Sequence, residues 1–336
     1  MITEEDFETA KVENFDEGPA LGSGKDGEVI EYINRFNGTK FALKCIPLTS
    51  AILSEDQMYE INKQIELFTQ QTKKIILHSH PNIVRILYFF VSNDKTKFYI
   101  FMEKMKCTVT EAIKARISEN YRFFSLPEFK DLVTTLITTF SFLEHLKIAH
   151  RDIKSDNLMF SEDGIIKVVD LGESNLGKTG RESFSIEVQG TLSYMAPELK
   201  FMYESSLEKS EIATNVYKCD VFSLGLVLLQ IACLKKNSEI KGINTRKENG
   251  PEKIKILLDG VETRYGSDYK SLLEKMLSFQ PSERPSFSEL DDFLVTFEKN
   301  EVENKNEEVK RAEEEEKRED IEDSKILVNK EMEFVI

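Results

Sequence analysis

His150-Arg151-Asp152-Ile153-Lys154-Ser155-Asp156-Asn157, followed by Val168-Val169-Asp170-Leu171-Gly172, decides how this chain is read. Asp152, Lys154 and Asn157 share a short polar loop between apolar segments. Asp170 ends a strand-like run, Ile165-Ile166-Lys167-Val168-Val169. Asn157 and Asp170 offer hard oxygen donors of the kind Mg²⁺ takes while keeping phosphate oxygens in its shell. Asp152 can accept a hydroxyl proton, and Lys154 can neutralise charge on a transferring phosphoryl group. Taken singly, these residues also suit a turn rich in Asx hydrogen bonds.

Upstream, Gly22-Ser23-Gly24-Lys25-Asp26-Gly27 is a GxGxxG run. In a dinucleotide-binding fold such a run lies between a strand and a helix. Here it precedes Glu28–Ile33, whose alternation and β-branching favour a strand. A glycine loop in a hairpin can still lie over phosphates, because backbone N–H groups approach closely where Cβ is absent. An ordinary flexible hairpin is the plainer reading of the motif alone. Lys44 follows within the apolar run Phe41–Ile46. It is a snorkelling edge lysine or, beside a phosphate loop, a point charge for phosphate oxygens.

The 336 residues suggest about two domains or one bilobal unit, and 40% hydrophobic content permits a sizeable core. Sixty acidic against 45 basic side chains give a charge of −15, which argues against bulk attraction to nucleic acid or anionic membrane. Cys45, Cys107, Cys219 and Cys233 form no CxxC pair, so a disulfide framework and a zinc module are not expected. The N-terminus shows no secretory pattern. The longest strongly apolar run, Val221–Cys233, reads as a buried core helix rather than a membrane span. A soluble intracellular protein is expected, cytoplasmic and not barred from the nucleus.

Residues 15–48 read as strands with a turn at Asn37-Gly38-Thr39. Residues 51–78 read as a helix through Ile61, Ile65, Phe68, Ile75 and Ile76, stopped by Pro81. Strands are expected near Ile83–Val91 and Lys97–Glu103. Helical spacing dominates from Leu126, where Pro127 and Glu128 mark a start. A β-rich first part before a helix-rich second part implies an α+β fold of two lobes, with the seam near Met105–Thr108. Residues 298–336 are strongly acidic, with Glu313 to Glu316 in a row, and read as a solvated helix or a disordered tail.

The ordered series GSGKDGEV (22–29), FALK (41–44), HPNIV (80–84), HRDIKSDN (150–157), DLG (170–172), APE (196–198), DVFSLG (220–225) and PSERPS (281–286) resembles the eukaryotic protein kinase family. The likeness covers about residues 15–297. It implies an N-terminal extension (1–14), a β-rich N-lobe (15–104), a mainly helical C-lobe (105–297) and an acidic tail (298–336). It also implies Mg²⁺ and ATP. Gly22, Gly24 and Gly27 would form the phosphate loop, with Leu21, Val29 and Ala42 above the adenine and Met159 below. Met102 would be the gatekeeper, and the backbone of Glu103 and Met105 would bond the adenine edge. Lys44 would hold the α- and β-phosphates, Asn157 and Asp170 the metals. Asp152 would orient the acceptor hydroxyl and take its proton, with Lys154 beside it. His150 and Leu171 would join the lobes, Asp220 would brace the catalytic loop, and Glu198 would pair with Arg284.

Lys154, together with Gly190-Thr191 ahead of Tyr194–Glu198, resembles the serine/threonine branch. That implies protein substrates with Ser or Thr acceptors, no nucleic-acid or membrane partner, and Thr191 contacting Asp152 and Lys154. Arg151 before Asp152 resembles kinases switched by loop phosphorylation and so implies an upstream activating kinase. Thr179, Ser183 and Ser185 are the candidate sites, an ordinary polar loop being the alternative. Two features depart from the family pattern. Counting back from Pro81, the helix position that should carry a glutamate for Lys44 falls near Gln71; an insertion is expected, with Glu66 as the partner and Glu60 second. Asp26 at the loop tip should weaken nucleotide binding slightly or point to solvent. The competing readings are a non-catalytic pseudokinase scaffold and a small-molecule phosphotransferase.

Overall fold

A computed structural model describes residues 14–24, 27–48, 55–170, 175–176, 191–205, 215–245 and 249–295. Thr179, Ser183, Ser185, Leu171, Asp26 and the acidic stretch after residue 297 therefore lie outside the described residues. The chain divides into two compact units, Met1–Ser288 and Glu289–Ile336. Everything below concerns the first.

Its N-terminal lobe is built on strands β1 (Phe15–Gly24), β2 (Gly27–Asn34), β3 (Lys40–Pro47), β4 (Ile86–Val91) and β5 (Lys97–Glu103). They form one antiparallel sheet in the order β1-β2-β3-β5-β4. Strand alternation gives the sheet two apolar faces. Leu43, Phe90 and Phe101 pack with Tyr32 on one face. Ile46, Phe89 and Phe98 pack with Ile61 on the other. Aromatic stacking knits neighbouring strands, as between Tyr88 and Phe101, whose centroids are 4.7 Å apart.

Helix α1 (Glu55–Leu77) covers the second face with Ile61, Ile65 and Phe68. Its inward row continues through Gln71, Thr72 and Ile75, all buried. Ile76, expected inside, is exposed because it lies one step round the helix from Ile75. The strand expected from Ile83 begins only at Ile86. Residues 82–84 pair instead with β9 (Ile166–Val168): Val168 N–H donates to Asn82 O (2.8 Å) and Val84 N–H to Val168 O (3.0 Å).

The second lobe is mainly helical: α2 (Val109–Ser118), α3 (Leu126–His145), α4 (Pro197–Glu204), α5 (Val216–Cys233), α6 (Gly250–Tyr265) and α7 (Ser267–Met276). Short strands β6 (Cys107–Thr108), β7 (Ile148–Ala149), β8 (Leu158–Phe160) and β10 (Asn175–Leu176) frame the polar loop 150–157. Capping boxes start α2 at Thr108–Glu111 and α3 at Ser125–Glu128. Helix α5 is 18 residues, longer than its most apolar run because Asn215 caps it upstream. By length and composition it is apolar enough to cross a membrane, yet 78% of it is buried in the fold, as a core helix is. The architecture is the α+β, two-lobed one expected.

Candidate active site

The two lobes meet over a small apolar floor of Val84, Met105 and Val169, against which Met102 and Met159 pack. Around that floor the backbone places the polar residues. Gly27 has φ +111°, and a Cβ there would lie 1.8 Å from the carbonyl oxygen of Cys45. Only glycine permits the hairpin to cross β3 so closely. A Cβ on Gly22 would meet nothing within 4 Å, so this part of the loop is open. Gly24 pairs with Gly27 at the end of the ladder. Val29 lies opposite Lys44, and Ala42 opposite Met102. Leu21 is partly exposed, whereas Ala42 is buried.

The segment joining the lobes is held from three sides. Glu103 N–H donates to Arg85 O (3.0 Å), and the Glu103 carboxylate accepts from Arg85 N–H (2.6 Å) and Lys167 Nζ (2.7 Å). Lys104 pairs with the buried carboxylate of Glu31 on β2 (3.2 Å), which Lys40 also approaches (3.4 Å).

The loop 150–157 hangs from Asp220 on α5. Its carboxylate accepts from His150 N–H (2.7 Å) and Arg151 N–H (2.9 Å). Burial pushes the Asp220 carboxyl up to about 7, against those two donors, which favour the anion. Burial lowers the His150 pKa, so its ring is neutral. Asp152 N–H donates to Nδ1 (3.3 Å), which leaves the Nε2 proton for Val169 O (3.2 Å). This one ring thereby joins the catalytic loop to the segment carrying Asp170.

Asp152 is surrounded by donors. Lys154 Nζ lies 2.5 Å from Oδ2, Thr191 Oγ1 donates to Oδ1 (2.8 Å), and Asn157 Nδ2 reaches Oδ2 (3.1 Å). Lys154 also donates to Thr191 Oγ1 (3.3 Å). The second proton of the Asn157 amide goes to Asp152 O (2.9 Å). With both N–H groups used, its Oδ1 is the atom left to bind a cation. Val169 N–H donates to Asn157 O (3.0 Å), so Asn157 and Asp170 are held side by side. Asp170 takes a left-handed backbone, φ 60°, as does Arg151 at φ 70°. Among the described residues no three His, Cys, Asp or Glu side chains cluster as a metal centre. The donor pair Asn157 Oδ1 and Asp170 carboxylate nevertheless fits a hard cation that brings its own phosphate oxygens.

Lys44, buried on β3, forms its ion pair with Asp170. This overturns the expectation for Glu66, which is exposed and accepts from Gln70 (3.0 Å) within its own helix. The Glu60 side chain lies outside the described residues; its position is three turns of α1, about 16 Å, before Gln71. Gln71, 2% exposed, lines a cavity of about 40 Å³ together with Lys44, Asp170, Phe68, Thr72 and Met102. The side chain that α1 buries in this cavity beside the lysine is therefore an amide, not an acid.

Beneath the loop lies a buried polar network that sequence reasoning missed. Ser155 Oγ contacts Thr110 Oγ1 (2.6 Å) and Tyr194 OH (2.8 Å). Tyr194 donates to Gln230 (2.8 Å), and Gln230 donates to Asn237 (2.7 Å). Asn237 Oδ1 also accepts from Ser155 Oγ (3.3 Å), closing the ring, and its amide donates to Asp156 (3.1 Å). Further out, Arg284 bonds Glu198 through Nη1 (2.7 Å) and Nη2 (2.6 Å).

The family model described as protein kinase domain matches residues 15–293. Germinal center kinase 3 of Caenorhabditis elegans is 26% identical over 290 residues, covering 81% of this chain and 45% of that protein. Serine/threonine-protein kinase 10 of Danio rerio is 28% identical over 282 residues, covering 80% and 25%. Aurora kinase of Encephalitozoon cuniculi is 27% identical over 281 residues, covering 83% and 92%. The chain thus spans less than half the length of the first two of these relatives.

Proposed function

The chain belongs to the protein kinase family, and from that premise we propose that it is an active serine/threonine kinase. It transfers the γ-phosphoryl group of Mg-ATP to Ser or Thr hydroxyls of proteins. The observation that carries the reading is the Asp152 carboxylate, held by Lys154, Thr191 and Asn157 beside the Lys44–Asp170 pair. The serine/threonine kinases among its relatives support the acceptor class.

Bound at Asn157 and Asp170, magnesium would neutralise the phosphate charge that develops during transfer. Asp152 orients the acceptor hydroxyl and takes its proton as the hydroxyl oxygen bonds the γ-phosphorus and the bond to the β–γ bridging oxygen breaks, giving a neutral carboxyl, a phosphorylated side chain and ADP. Lys154, bridging Asp152 and the transferring group, offsets negative charge in the transition state. Thr191 fixes the Asp152 rotamer and ties it to the segment that precedes Tyr194 and Glu198. Lys44 serves the α- and β-phosphates, and the floor of Met102, Met105 and Met159 takes the adenine. Regulation by an upstream kinase and a cytoplasmic location belong to the same proposal.

The test is transfer from radiolabelled ATP to a generic protein substrate, comparing wild type with Asp152→Asn. Loss of the base should lower the rate by about 10²–10⁴. One observation favours the scaffold reading, namely Gln71 where an acid would anchor Lys44. Equal background signals from the two proteins after upstream activation would select the scaffold.

A further inference from the structure

Lys44 has one ionic partner among the described residues, and that partner is Asp170. Asp170 is also one of the two oxygen donors that fit a divalent cation. In a kinase with a glutamate on the helix, the lysine leans on that glutamate and leaves the metal-binding aspartate free. Here the helix presents Gln71 to the cavity lined by Lys44 and Asp170. An amide carries no net charge and cannot draw an ammonium away from a carboxylate. Thr72, the other polar side chain that α1 brings to this cavity, is equally uncharged. Asp170 itself takes a left-handed backbone, φ 60°.

We propose that Gln71 makes Lys44 and the divalent cation rivals for the Asp170 carboxylate, so that this chain needs more metal to close its nucleotide site than its other residues dictate. The inference rests on the kinase reading above. Position 71 acts through Lys44 and is a positioning residue. Each cation that settles on Asp170 must weaken an ion pair in a largely buried setting, where such a pair is stronger than in water. A carboxylate at position 71 gives Lys44 a second anion and releases Asp170. It also adds negative charge near the phosphates, which matters most when no cation is there to offset it.

The experiment measures binding of a fluorescent ATP analogue by the full chain across a Mg²⁺ titration, with an EDTA reference. Gln71→Glu should lower the Mg²⁺ midpoint about three- to tenfold while leaving EDTA-state affinity unchanged or weaker. A merely loosened helix would weaken both. Placed on Lys44→Met, the same change should shift the midpoint by less, because the rivalry is already gone. Equal midpoints for wild type and Gln71→Glu would overturn the inference. So would a shift of the same size in the Lys44→Met background. Should Gln71→Glu not fold, Gln71→Met decides. Its midpoint should stay within twofold of wild type, and a threefold rise would mean the amide already anchors Lys44. Wild type that binds no nucleotide at any Mg²⁺ level would overturn the kinase reading, and this inference with it.

Discussion

Replacing Glu198 by alanine should be among the costliest single changes in the second lobe. The Arg284 side chain is fully buried and donates to four acceptors. Two are the Glu198 oxygens; the others are Ser278 O (2.6 Å) and Lys218 O (3.0 Å). Its guanidinium also lies 5.1 Å from the Phe222 ring centre. Glu198→Ala removes the only formal negative charge among those partners and leaves the cation in place. Breaking one half of a buried pair costs about 3–5 kcal/mol. The Glu198 side chain is 16% exposed, so water can reach the gap, and the lower end, about 3 kcal/mol, applies. Arg284→Met leaves a carboxylate that water and Cys219 can still serve (Sγ 3.3 Å) and should cost about 2 kcal/mol. The double variant should cost about 3 kcal/mol rather than the sum, since each half's penalty is the other left unpaired. The chain has no tryptophan, so urea unfolding is best followed by far-ultraviolet circular dichroism. A loss below about 1 kcal/mol for Glu198→Ala, or strict additivity in the double variant, would contradict a buried, mutually dependent pair.

Thr191→Val removes the hydroxyl shared by Asp152 and Lys154. It should lower kcat about tenfold with the KM for ATP unchanged, and Thr191→Ser should restore most of the loss. A rise in the KM for ATP would place Thr191 in a different role. The Asp220 carboxyl, raised from 3.8 to about 7, binds its proton more tightly folded than unfolded. Stability from this group is therefore fully present below pH 3.8 and is lost as pH rises to about 7. The stability of wild type minus that of Asp220→Asn should fall across that window in chemical unfolding, and a flat difference would contradict the shift. Gly27→Ala forces a Cβ against Cys45 O and a strained φ. It should cost at least about 2 kcal/mol and expose β2–β3 amides to hydrogen exchange, where unchanged protection would count against the close crossing.

Much of this molecule could be read locally. The polar loop is eight contiguous residues, and its grouping is visible because Asp152, Lys154 and Asn157 meet within one short stretch of chain. Helix α3 announces itself through Pro127 and Glu128, to which the structure adds Ser125 as the cap, because capping is a short-range bond. What stayed hidden depends on distance in sequence. Strand β4 starts late because residues 82–84 pair with Val168, more than eighty positions away. The Ser155–Tyr194–Gln230–Asn237 ring joins hydroxyls and amides that look like ordinary loop and helix residues until folded together. Counting from Pro81 lands on Gln71, and Glu66 competes with it only because the family pattern calls for charge. Phase along α1 carries Glu66 to the solvent side, and no count of acidic residues could show that.

The Lys104–Glu31 contact also fixes how the glycine hairpin can travel. Glu31 is clamped to the interlobe segment, Tyr32 OH donates to Glu17 (3.0 Å), and Arg35 grips Asp16 (2.8 Å). The root of the hairpin is thus tied to its surroundings, while the ladder slips in register twice, between Glu17 and Ala20 and between Ala20 and Gly22. With its side chains only 17% and 6% exposed, the Lys104–Glu31 pair is little screened by salt, so this anchor should hold across ionic strengths that would loosen the exposed Arg35–Asp16 pair.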